Sequence, residues 1–214
     1  MLSNLKLLRN SFLIMTFFVT VSAYAQVDTS HLKLQMAFGF NKPSQNGFVE
    51  DFESKPVNLS TFNIGFQYMF KTKLGVKLDY GFNRMKNISD TPEFKLNYTR
   101  VNAQLIGDLT PLINSIAPQI GLFAHAGPGY SFVRPLGDFG ANKTSFLNGI
   151  LGLDLHYGVT DALSVYLDTA YIISGAKEFD PVSNGRGAFN GNVLTVTAGV
   201  SISLSGCYFC SRNE

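Results

Sequence analysis

From Leu32 onward this chain alternates apolar and polar residues with a period of two, over and over. Leu32, Leu34, Met36, Phe38 and Phe40 share one face, while Lys33, Gln35, Ala37 and Gly39 share the other. Successive side chains of an extended strand point to opposite sides, so this period reads as strand with one apolar face. The pattern returns at Ile64, Phe66, Tyr68 and Phe70, and at Leu74, Val76, Leu78, Tyr80 and Phe82. It continues through Thr99–Leu105, Ile120–Ala126, Leu147–Tyr157, Leu163–Ile173 and Leu194–Leu204, which makes eight strands. After the amino-terminal region no stretch is continuously apolar for the roughly 18 residues that a membrane helix needs.

The first 25 residues read as a secretory signal. Lys6 and Arg9 precede the apolar run Ser11–Val21, and Ala23-Tyr24-Ala25 places small residues before Gln26. The run is too short to cross about 30 Å of hydrocarbon as a helix, and with no cysteine after it a lipid anchor is not expected. Removing it takes two bases and no acid from the 17 basic and 15 acidic residues, which leaves the two signs equal. A nucleic-acid partner, which selects for positive excess, is therefore not expected. Charged residues are 15% of the chain, against about 25% in soluble domains.

The connections alternate in length. Long polar stretches fall at about 41–57, 84–93, 134–144 and 175–190, and shorter links at 71–72, 110–117 and 160–162. Short turns at one end and long loops at the other describe a barrel in an outer membrane, with both termini on the periplasmic side. Pro43, Pro56, Pro92, Pro135 and Pro181 lie in or beside the long stretches. Phe40, Phe70, Phe82, Tyr98, Tyr130, Phe132, Tyr157 and Tyr171 are candidates for the interfacial aromatic belts.

A soluble ligand-carrying barrel would turn its apolar face inward and line its outside with Lys and Glu. Here the second face is Gly, Ala, Ser, Thr, Asn and Gln, which suits the narrow interior of eight strands. Lys77, Asp79, Arg100, Asp154 and Asp168 share its parity, two bases against three acids, with His125 and His156 as further donors. Buried ions persist only when paired. Such a network reads either as the gate of a small pore or as a plug of satisfied polar groups.

Chemistry beyond this is sparse. Ser131 and Ser164 share the inward parity with His125, His156 and Asp154, a set that a lipid-modifying hydrolase would need but that chance also produces. Phosphate loops and metal ligands at recognised spacing are absent, so neither cofactor nor metal is expected, and no enzymatic activity. Cys207 and Cys210 form Cys-Tyr-Phe-Cys at the end of the chain. Export makes a local disulfide or idle thiols the leading reading, with a tail contact, a redox pair or half a metal site as alternatives. Arg186, between Gly185 and Gly187 in the last long loop, reads as a flexible loop tip or as a contact to lipopolysaccharide phosphate or a partner.

The segments Tyr98–Gln104, Leu109–Ile113, Ile120–Ser131 and Leu151–Asp161 carry a family resemblance. Together they resemble the amino-terminal barrel of OmpA-type outer-membrane proteins, in its Bacteroidetes and flavobacterial form. The resemblance implies an all-β, eight-stranded, up-and-down antiparallel transmembrane barrel over 26–206, after a signal over 1–25 and before a short tail over 207–214. It also implies a structural, adhesive or weakly pore-forming role. Expected partners are outer-membrane lipid and lipopolysaccharide, the barrel-assembly machinery and an extracellular ligand held by the loops. A narrow pore and an accessory subunit of an envelope or secretion complex are the alternatives. Many relatives continue into a peptidoglycan-binding domain. This sequence ends at Glu214, soon after the last strand, so that activity is not carried over. Phe209 is followed by Cys-Ser-Arg-Asn-Glu where such barrels often end on an aromatic residue.

Overall fold

The computed structural model describes residues 32–115, 117, 119–176, 179 and 185–204. The signal assignment and the Cys207–Cys210 motif lie outside the described residues. Eight strands follow in order: β1 (Leu32–Pro43), β2 (Asn58–Lys71), β3 (Leu74–Lys86), β4 (Lys95–Asp108), β5 (Ile120–Pro135), β6 (Thr144–Gly158), β7 (Leu163–Ser174) and β8 (Val193–Ser203). Each pairs antiparallel with its neighbours in sequence, and β8 returns to β1 over Lys33↔Ser203 to Pro43↔Val193. The sheet is a closed barrel, so every strand edge is paired.

The alternation of apolar and polar residues sets which way each strand faces, and the direction is inverted relative to a soluble protein. Phe38, Leu105 and Leu147 are 67%, 66% and 67% exposed, whereas Arg100, His125 and Asp154 are 1%, 2% and 0% exposed. A slip of one residue in any strand would turn its inward polar positions outward, so register and hydropathy enforce each other. The apolar exterior is continuous with strands long enough to cross hydrocarbon, and only a closed ladder leaves no backbone group unpaired there. None of the described helices is long and apolar enough to cross.

The long connections 44–57, 87–94, 136–143 and 175–192 lie at one end and the short ones at the other. The 109–119 link is longer than the sequence suggested. It holds a short 3-10 turn at Thr110–Leu112, anchored where Thr110 N donates to Asp108 Oδ1 at 2.8 Å and Leu122 N to Thr110 Oγ1 at 3.1 Å. Tyr98 does not belong to an aromatic belt. It lies two residues from Arg100, shares its inward parity, and is fully buried with its hydroxyl 2.7 Å from Ser131 Oγ.

Leu153→Arg, on the exterior of β6, is expected to lower folding stability in lipid vesicles by about 2–4 kcal/mol if it sits near the bilayer midplane. Asp161→Arg, in an exposed turn, serves as the control. Urea titrations that place the two variants at the same stability would refute the lipid-facing assignment.

Candidate functional site

The barrel interior is built in three layers. The middle layer is ionic. Arg100 Nη1 donates to Asp79 Oδ2 at 2.5 Å and to Asn102 Oδ1 at 3.1 Å, and its Nη2 donates to Asn63 Oδ1 at 3.2 Å. Gln104 Nε2 donates to the other Asp79 oxygen, Oδ1. Lys77 Nζ lies 3.5 Å from Asp154 Oδ2. His125 joins the halves: Nδ1 is 2.6 Å from Gln104 Oε1, and Nε2 is 3.3 Å from Asp168 Oδ1 and 3.7 Å from Asp154 Oδ1. All five charged residues singled out in the sequence are thus buried in one connected network that spans β2 to β7.

Inward glycines make room for these side chains. Gly81 pairs with Arg100 across β3–β4, and a Cβ there would lie 2.7 Å from the guanidinium carbon. Gly152 pairs with His125 across β5–β6, and any side chain would overlap the imidazole. The small residues of the polar face are sockets for the large ones.

The outer layer is apolar at its top, which the sequence did not suggest. Each long connection sends one or two phenylalanines over the barrel mouth: Phe48 and Phe52, Phe94, Phe139, and Phe189. Phe48 packs on Phe94 at 5.4 Å and on Phe189 at 4.8 Å, and Phe52 meets Phe139 edge-on at 5.2 Å. Below them lie Met85, Leu96, Tyr98, Val133, Phe146 and Ile172. Backbone and side-chain bonds stitch the loops together. Lys55 N donates to Lys86 O at 2.9 Å, Asn190 N to Gly47 O at 3.0 Å, and Asn142 Nδ2 to Arg186 O at 2.9 Å. Gly187 holds φ +70° against the Phe139 ring, a backbone that disfavours side chains at a spot where none would fit. Arg186 itself is exposed. The signal for this lid was present as isolated phenylalanines in polar stretches, but only the closed ring brings four distant loops to one mouth.

The inner layer, toward the termini, is mixed. Met69, Ile106 and Phe123 form a small apolar cluster, and Lys33 Nζ lies 5.5 Å from the Phe123 ring centre. His156 is held between Phe123 and a stacked Tyr166, with Nδ1 3.1 Å from Ser164 Oγ. The Ser–His pairing that a hydrolase would need therefore forms, but inside the barrel with both partners buried. Ser131 instead bonds Tyr98 and accepts from Asn148 Nδ2 at 2.7 Å.

A closed antiparallel barrel with an apolar outside and an ion-paired inside is an integral membrane β-barrel. The chain belongs to the outer membrane protein beta-barrel domain family, whose model matches residues 11–201. It is a protein of the outer membrane, so the long connections face outward and the short ones the periplasm. Among solved structures it is similar to Neisserial surface protein A, at 14% identity and a TM-score of 0.53, covering 81% of this chain and 96% of that one. It is also similar to Ail, the attachment invasion locus protein of Yersinia pestis, in complex with the heparin analogue sucrose octasulfate. That likeness has 14% identity and a TM-score of 0.50, covering 80% and 97%. At these identities the likeness is one of fold. A search of curated sequences finds no match.

Asp79→Ala should cost about 3–5 kcal/mol, because it strands the buried Arg100 charge. Adding Arg100→Leu should restore part of that loss. A double-mutant cycle by urea unfolding that gave simple additivity would argue against the pair as a unit.

Proposed function

We propose that this barrel works through the outward surface of its four long loops and that the lumen is a closed scaffold beneath them. The observation that carries the reading is the phenylalanine lid: all four loops pack into one apolar cluster, with the first tied to the second and fourth by backbone hydrogen bonds and the third to the fourth by Asn142 Nδ2. Loops fixed in this way form a preorganised surface, which lowers the ordering cost of binding. Exposed charges of both signs stand on it, among them Glu53, Asp138, Lys143 and Arg186, and lipopolysaccharide or an extracellular ligand is the partner they suit. The named role of Ail in attachment is in keeping with a surface function. The ionic layer below acts as a plug, since a gate would need one ion pair to open without leaving charges buried and unpaired. Catalysis forms no part of this reading, because the Ser164–His156 pair lies buried beside Phe123 and Tyr166.

Single-channel recordings of the refolded protein in planar bilayers should show no conductance steps. Regular steps would favour the pore reading instead. Photo-crosslinkers placed at Glu53, Asp138 or Arg186 on intact cells should capture a discrete surface partner that a crosslinker at Leu153 does not. The same adducts from all positions would sink the proposal.

The lid itself is testable without knowing the partner. Phe189→Ala should leave the barrel folded, with its heat-dependent gel shift intact, but make trypsin cleave faster at Lys55, Lys86 and Arg186. Unchanged cleavage would mean that the lid does not hold the loops.

A further inference from the structure

We propose that His125, Asp154 and Asp168 form a divalent-cation site in the middle of the lumen, suited to a borderline ion such as Zn²⁺. One nitrogen and two carboxylate oxygens from these residues all lie within 4.8 Å of one another. Zinc takes His and Asp ligands at about 2.0–2.2 Å. Two ligands bound to one tetrahedral ion at such lengths stand about 3.3–3.5 Å apart. His125 Nε2 is 3.3 Å from Asp168 Oδ1 and 3.7 Å from Asp154 Oδ1. The first of these falls in that range and the second just beyond it, and both are longer than the roughly 2.7–2.9 Å of a charge-assisted N–H···O bond.

Three further observations point to a cation. Asp154 and Asp168 are directly paired across β6–β7, an arrangement in which like charges repel. Both oxygens of Asp154 are buried and accept no hydrogen bond. The central network also counts three carboxylates, Asp79, Asp154 and Asp168, against two permanent cations, Lys77 and Arg100. A bound divalent cation removes the repulsion, completes Asp154 and outweighs the single negative excess. Lys77 stays on the far side of Asp154, at Oδ2, and leaves Oδ1 to face His125.

The hydrogen bonds around His125 fix its tautomer for this task. The Asp79 carboxylate, paired to Arg100, can only accept, so the Gln104 atom facing it is the amide nitrogen. Gln104 Oε1 then accepts from His125 Nδ1–H, so a metal would be taken by Nε2, which faces the two carboxylates. A metal-bound histidine normally donates its other N–H to such an oriented acceptor. Gly152 leaves the space in which the ring sits.

The test is to refold the full chain with ZnCl₂ or CoCl₂, wash it with chelator, and measure bound metal and the visible spectrum. The wild type should retain one equivalent of zinc, and the cobalt form should show the intense bands of a tetrahedral site. Asp108→Asn, which removes a carboxylate outside the trio, should retain the ion. His125→Gln and Asp168→Asn, checked for folding by the heat-dependent gel shift, should lose it. Retention by folded His125→Gln at the wild-type level would overturn the assignment. If both variants fail to fold, the wild-type measurement decides: no retained ion and no cobalt bands would overturn the assignment.

Discussion

The ladder between β1 and β8 is the interaction on which the rest depends. Without it two strands would present unpaired N–H and C=O groups to hydrocarbon, each at a cost of several kcal/mol. Closing the ring removes both edges at once. It also creates an interior that lipid cannot fill and that eight strands leave too narrow for much besides side chains. The polar network, the glycine sockets and the loop lid are all consequences of having to fill that interior.

The filling is graded along the barrel axis. In the middle, where bonds to bulk water are out of reach, charges are arranged against one another: Arg100 with Asp79, Lys77 with Asp154, and His125 between Gln104 and two carboxylates. At the outer mouth the same volume is filled by aromatic rings carried in by the loops. An ionic centre in place of an apolar one is seldom the most stable choice. Here the alternation forbids a wholly apolar interior, because a strand apolar on both faces would lose the contrast that fixes its register.

The loop lid links stability to function. Burying a phenylalanine contributes about 1.5–3 kcal/mol, and Phe48, Phe94 and Phe189 each take that contribution from a different loop. The loops therefore form one surface continuous with the barrel, and exposed residues such as Arg186 stand on a supported backbone. This is also why the interior and the outward face need not share a role: one holds the shape, and the other meets the surroundings.

Sequence alone determined the strands, their facing and the closure. The period of two is a local property, and the chemistry of the two faces leaves lipid as the only solvent for the apolar one. The inward parity of Lys77, Asp79, Arg100, Asp154 and Asp168 was legible for the same reason. Tyr98 was misplaced only by setting its ring chemistry above its parity with Arg100. What tertiary structure decided was proximity between strands. Parity says that Asp154 and Asp168 point inward, but only the β6–β7 register sets them face to face and brings His125 of β5 beside them. Likewise, Phe48, Phe94, Phe139 and Phe189 are unremarkable residues of four separate loops until closure of the ring gathers their ends around one mouth.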